Sequence, residues 1–170
     1  MRVCLLFGDG QAQEGALLRT LERANFAVCT ASYIRAQWIC AQSAEEIALI
    51  GSGAGCREAL LLAERYAVGA LILIGCPLRP RCRGFWRAER DLFSVVADFL
   101  LVQPGDDPRM RSRGAEILLR SIGSAYARRV DMGKDFTDLW TNCKIPLFDE
   151  ILGFLEGCKE RKELAKTAKS

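Results

Sequence analysis

The chain has 170 residues, half of them hydrophobic and 26% charged, the balance of one ordinary soluble globule. That length buries a core without disulfide or metal staples, is too short for two full domains, and offers no apolar run near the roughly 18–20 residues of a membrane-spanning helix. A net charge of +3 is no argument for nucleic acid by itself, and the absence of histidine excludes Ser–His–Asp or Cys–His catalysis and every His-containing metal site for the chain acting alone.

Residues 2–7 are an apolar run closed by Gly8-Asp9-Gly10, the pattern of a strand covered on both faces. The run breaks too early for a secretory signal, whose apolar stretch continues to a small-residue cleavage site. Residues 14–25 set Leu17, Leu18, Leu21 and Ala24 at helical spacing, and 26–30 read as a second strand. A third strand, 47–50, ends in Gly51-Ser52-Gly53-Ala54-Gly55, and 56–66 form a helix with Ala59, Leu60, Leu62 and Ala63 on its apolar side. Residues 68–74 give a fourth strand, stopped by Gly75-Cys76-Pro77; a fifth, 99–103, stops at Pro104-Gly105-Asp106-Asp107-Pro108. A helix over 116–122, a sixth strand over 128–131 and an amphipathic helix over 147–155 follow. Leu147, Phe148, Ile151, Leu152 and Leu155 form the core stripe of that last helix.

Strands alternating with helices predict an α/β fold, a three-layer sandwich around a mostly parallel sheet of about 5–6 strands. One domain is expected over 1–157. Residues 158–170, polar and lysine-rich, are expected to be a frayed helix or a solvated basic tail.

The cysteines, Cys4, Cys29, Cys40, Cys56, Cys76, Cys82, Cys143 and Cys158, are scattered without a C-x-x-C pair. That spacing suits neither zinc ligation nor a disulfide framework. Several lie in apolar runs, where cysteine acts as a small hydrophobe. Reduced, buried thiols point to an intracellular, reducing compartment: cytosol, nucleus or mitochondrial matrix. No cofactor or metal is expected.

The glycine-rich turn at 51–55 has two chemical readings. A dinucleotide turn, G-x-G-x-x-G, fails at its third glycine, where Cys56 stands, and the next strand ends Ile74-Gly75-Cys76 with no acid for a ribose. The other is the nucleophile elbow, G-x-S-x-G. Gly51, Gly53 and Gly55 occupy its frame, with Gly53 where the nucleophile belongs.

In order and spacing, these segments resemble a shortened, degenerate α/β-hydrolase, within the small dienelactone-hydrolase-like branch related to testis-expressed and non-specific-lethal complex subunits. Phe7-Gly8-Asp9-Gly10 resembles that family's H-G-x-G oxyanion loop, and 17–28 its "L..L...GF.V" segment. Residues 51–57 resemble G-x-S-M-G-G-R, with Arg57 retained, and Gly75-Cys76-Pro77-Leu78-Arg79-Pro80 resembles "GYPLHPP". Residues 99–108 resemble "LFVQGTRDP" and 130–136 resemble "WIEGGDH". The similarity runs over most of the chain, with a large deletion between Tyr33 and Glu45. It implies degenerate triad positions: Gly53 for the serine, Phe136 for the histidine, and Asp107 as the surviving acid. Losing nucleophile and base together removes nearly all triad catalysis. The oxyanion donors left by the resemblance are the amides of Ala54 and of the Gly8-Asp9 turn. Ser52 and Cys56 flank the tip without a histidine to activate them. A helix N-terminus can acidify Cys56, but a structural role fits it better.

Residues 79–90 carry Arg79, Arg81, Arg83, Arg87 and Arg90 around Phe85 and Trp86. Such a loop suits RNA, phosphate or an acidic partner, or else it is solvated with Trp86 packed on the sheet. Arg109, Arg111 and Arg113 balance Asp106 and Asp107, whose adjacency suits turn chemistry better than metal. Trp38 and Ile39 mark an interface if exposed. The expected function is a catalytically inactive α/β-hydrolase-like domain, a structural or interaction subunit of a larger intracellular complex, with other protein subunits as partners and no membrane. The alternatives are a residual esterase or thioesterase using Ser52 or Cys56 with Asp107, and a phosphate or nucleotide binder at the amides of 51–55.

Overall fold

The computed structural model describes residues 1–7, 11–77, 92–106 and 112–168. In chain order the elements are β1 (Arg2–Phe7), α1 (Gln11–Arg23), β2 (Ala27–Thr30), α2 (Tyr33–Ser43), β3 (Ile47–Ser52), α3 (Gly55–Arg65), β4 (Ala70–Ile74), β5 (Asp98–Gln103), α4 (Ser112–Ser121), β6 (Ala127–Asp131), α5 (Phe136–Thr141) and α6 (Lys144–Thr167). Among the described residues the strands form one sheet in the order β2-β1-β3-β4-β5-β6, every pair parallel. This is the expected three-layer α/β architecture. After β1 the chain steps outward to β2, then returns to the other side of β1 as β3. The winding therefore reverses at the carboxyl ends of β1 and β3, where open parallel sheets form their crevice.

Alternation along the strands sorts the core into two layers. Cys4, Leu6, Leu49, Leu71, Leu73, Phe99 and Leu101 face one side, under α2, α3 and α4. Val3, Leu5, Ile50, Ile72, Ile74, Leu100 and Val102 face the other, under α1, α5 and α6. The central strands β3 and β4 are buried at every residue, which is why they read as unbroken apolar runs. β2 and β6, at the edges, are only partly covered.

Several boundaries differ from the sequence expectation, each for a local reason. α1 stops at Arg23 because Asn25 takes a left-handed φ of 60°, while the Phe26 N–H bonds to the Leu21 carbonyl at 3.0 Å. β3 runs on through Gly51 and Ser52, paired with Leu6 and Phe7 on one side and with Leu73 and Ile74 on the other. α4 begins at Ser112, ahead of the expected residue 116. α2 was not legible as a helix: Ala36, Ile39 and Cys40 are buried while Ile34 and Trp38 are exposed, so apolar residues lie on both faces.

α6 extends well beyond the expected residues 147–155 at both ends. Its second half stays helical to Thr167 because basic side chains tie it to the amino ends of the strands. The Lys159 ammonium lies 3.6 Å from the Phe26 ring centroid. Arg161 pairs with Asp98 at 3.0 Å and stacks 3.9 Å from the Tyr126 ring centroid, and Lys162 donates to the Glu45 carbonyl. Cys158 is fully buried on the same helix. No described helix is long and apolar enough to cross a membrane.

Burial pushes the Cys40 thiol up to about 11, and burial beside the Asp98 carboxylate pushes Cys158 up to about 12, against an ordinary 9.0. The folded chain then holds protons that the unfolded chain releases above pH 9.0, so the contribution of these thiols is present below that pH and lost as pH rises toward 11–12. Urea unfolding is expected to show stability falling by roughly 1 kcal/mol or more between pH ~8 and pH ~10.5, with a shallower fall in Cys158→Ala.

Candidate functional site

β3 ends at Ser52 and α3 begins at Gly55, so Gly53 and Ala54 make the whole strand-to-helix turn. A turn this tight is possible because two backbones meet without side chains between them. A Cβ on Gly55 would stand 2.0 Å from the Leu6 carbonyl oxygen of β1, and one on Gly51 would stand 2.7 Å from the Gly55 carbonyl oxygen and 2.9 Å from the Ala59 Cβ. Gly53, at the tip, has a φ of +54°, the left-handed region that costs other residues free energy. Its N–H bonds to the Ile74 carbonyl at 3.1 Å, and its own carbonyl accepts from the Cys56 N–H at 3.2 Å. The Cys56 thiol turns beneath the elbow and donates to the carbonyls of Gly51 and Ile74 at 3.2 and 3.4 Å. Both it and Ser52 are buried, Ser52 as a ladder residue between Phe7 and Ile74. Cys76, alongside, is also fully buried, and burial raises its thiol far above the ordinary range.

Opposite the tip stands Phe136. A Cβ on Gly53 would meet its ring at 3.6 Å, an ordinary van der Waals distance. The turn that presents Phe136 is held on several sides. Pairing continues past β5 and β6 through Met132 N–H to Gln103 O (3.0 Å), Gly105 N–H to Gly133 O (2.9 Å) and Asp106 N–H to Lys134 O (3.2 Å). Phe136 is the first residue of α5, whose N-cap Asp135 accepts from the Asp138 N–H at 2.8 Å. The Asp138 carboxylate accepts from the Asn142 side-chain amide and the Lys134 N–H, and these bonds hold its pKa below the usual range.

Phe136 does not stand alone. Trp140, one turn later on α5, packs edge-on to Phe136 at 6.5 Å and to Phe148 of α6 at 6.4 Å, and lies 5.7 Å from Phe7 at the carboxyl end of β1. Sequence reasoning placed Phe7 at the oxyanion-loop segment but missed Trp140 and Phe148 as members of the site, and with them the ring cluster. The available signals were the place of Phe7 directly before the Gly8 turn and the i, i+4 spacing of Phe136 and Trp140.

The structure thus brings together Gly53 and Phe136, two of the positions implied by the resemblance. Neither side chain can give or take a proton, and neither is a nucleophile. Asp107 lies outside the described residues, as do Gly8 and Asp9 of the oxyanion-loop segment and Arg79, Arg81, Arg83, Phe85, Trp86, Arg87 and Arg90. Among the described residues, no group of three or more Cys, Asp or Glu is placed to hold a metal ion.

Neither a protein-family model nor a curated protein matches the chain. Solved structures do. One, from work on the metagenome-derived lipolytic enzymes LipS and LipT, superposes with a TM-score of 0.75 at 14% identity, over 91% of this chain and 93% of that one. A monoacylglycerol lipase of Paleococcus ferrophilus gives 0.70 at 12% identity over 89% and 94%, and the esterase domain of a Rhodothermus marinus protein 0.68 at 18% over 95% and 86%. The fold is that of the α/β-hydrolases. At these identities the likeness concerns the fold alone.

The elbow geometry separates two effects of adding a methyl group. Gly53→Ala is expected to cost about 1 kcal/mol, the strain of a left-handed φ with room for the Cβ. Gly55→Ala, which drives a Cβ into the Leu6 carbonyl, is expected to cost more than ~3 kcal/mol. Urea denaturation of both variants measures the difference.

Proposed function

We propose that this chain is a catalytically inactive α/β-hydrolase-like domain serving as a structural and interaction subunit of a larger intracellular assembly. In the same reading it belongs to the small dienelactone-hydrolase-like branch related to testis-expressed and non-specific-lethal complex subunits. The observation that carries the proposal is the Phe136 ring over Gly53: an elbow tip without a nucleophile, faced by an aromatic ring where a base would have to stand. A chain without histidine has no imidazole to serve as that base. The order of the degenerate motifs supports the choice of branch.

Burial argues against a residual hydrolase using the neighbouring nucleophiles. Ser52 is 3% exposed, and the buried Cys56 thiol is committed to two backbone carbonyls behind the turn. Exposed apolar side chains support the interaction role. Ile34 and Trp38, four residues apart on α2, are 79% and 66% exposed, and Phe93 and Val96 are exposed as well. Other protein subunits are the proposed partners through α2, with the arginines of residues 79–90 as a second contact for an acidic partner or RNA.

Three measurements test the reading. The tagged full-length protein in a gentle lysate should migrate in a stoichiometric particle much larger than its own 18.8 kDa; a free monomer overturns the subunit role. Labelling by a fluorophosphonate probe, or turnover of a p-nitrophenyl ester above that of heat-denatured protein, overturns the inactive role. The double variant Ile34→Ala/Trp38→Ala should lose the particle while changing stability by less than about 0.5 kcal/mol per site, as surface substitutions do.

A further inference from the structure

Cys4 and Cys29 are direct partners across the parallel ladder of β1 and β2. Residues in register on neighbouring parallel strands point to the same face, and both side chains pack into the layer beneath α2. Neighbouring strands lie about 4.7–4.9 Å apart, inside the roughly 4.4–6.8 Å of Cα separation that a disulfide spans. The two thiols face each other closely enough to push one another's titration in opposite directions. Their surroundings differ. Cys4 is fully buried, whereas Cys29 is half-buried on the edge strand.

We propose that Cys29 and Cys4 form a peroxide-sensitive thiol pair, with Cys29 as the attacking sulfur and Cys4 as the resolving one. The Cys29 thiolate attacks hydrogen peroxide: an S–O bond forms, the O–O bond breaks, and the departing hydroxide takes a proton to become water. The Cys4 thiol then gives up its proton as its sulfur attacks the Cys29 sulfenic acid; the S–S bond forms, the S–O bond breaks, and a second water leaves. The sulfur pair loses two electrons and the peroxide gains them.

The charged and titratable groups facing the pair favour this division of labour. The facing Cys4 thiol, as a proton donor, and the positive charge of Arg35 on α2 and Arg2 on β1 outweigh burial and bring Cys29 down to about 6. The same interaction with Cys29, together with burial, holds Cys4 protonated, far above the ordinary thiol range. Cys40, the other thiol of this cluster, is kept protonated by burial on α2. The remaining thiol pair, Cys56 and Cys76, is fully buried and serves as an internal control.

Full-length reduced protein treated with hydrogen peroxide should lose the mass of two hydrogens, and non-reducing peptide mapping should recover a Cys4–Cys29 link that a dithiol reductant reverses. Cys29→Ser should abolish the link. A Cys29–Cys40 or Cys56–Cys76 link formed first, or no link at all, overturns the assignment. Because a variant can fail to fold, the wild-type protein gives a second readout: iodoacetamide should modify Cys29 at pH 7 about threefold faster than a cysteine peptide, with a pH midpoint about 6. A midpoint in the ordinary thiol range overturns it.

Discussion

Helix α3 lies against the sheet only because glycines let backbone meet backbone where the helix begins. Gly55 sits against the Leu6 carbonyl of β1, and Gly51 sits beneath Gly55, Cys56 and Ala59. Any side chain at either position would lift the helix off β1 and β3. These are the two neighbouring strands whose carboxyl ends define the crevice. The tight turn at Gly53 follows from that contact, since a chain leaving β3 has only Gly53 and Ala54 in which to reverse into α3. The elbow is therefore a packing requirement first, and it can outlast the chemistry that such turns carry in enzymes.

The space in front of the elbow is held by a different class of interaction. Phe7, Phe136, Trp140 and Phe148 come from β1, α5 and α6 and meet ring against ring. Aromatic contacts of this kind contribute about 0.5–1.5 kcal/mol each beyond simple burial. Catalytic sites work in the opposite sense: they hold polar groups in strained, partly desolvated positions at a cost in stability. On the reading proposed here, exchanging a nucleophile and base for a glycine and a phenylalanine turns a costly crevice into part of the core. The same exchange moves the surface available for recognition away from the crevice and onto the outer helices.

Much of the fold was legible because its signals are local. β1, β3, β4 and β5 are covered on both faces and appear as apolar runs; α3 shows one apolar side because one side is buried. α2 was lost because exposed Ile34 and Trp38 fill the face that would have read as polar. The reach of α6 to Thr167 was lost because it depends on Asp98, Tyr126, Glu45 and Phe26, all distant in sequence. The site divides in the same way. Gly51, Gly53 and Gly55 announce a backbone constraint within five residues. The meeting of Gly53 with Phe136, 83 positions later, is a tertiary fact that only the resemblance anticipated, and the ring cluster behind it had no comparable guide.

Stability is distributed unevenly across this sheet, and that distribution decides where change can occur. β3 and β4 are buried at every position and flanked on both sides, so opening them means unfolding the domain. β2 has four residues, one paired neighbour and partly exposed side chains, and the helix after it, α2, buries only Ala36, Ile39 and Cys40. The exposed Ile34 and Trp38 and the Arg35 that faces the Cys4–Cys29 pair all lie on that helix. A covalent link between β1 and β2 would fix one edge of the sheet directly beneath the apolar surface proposed for a partner. Coupling between the two requires no route through the core, because thiol pair and surface share a single, weakly anchored helix.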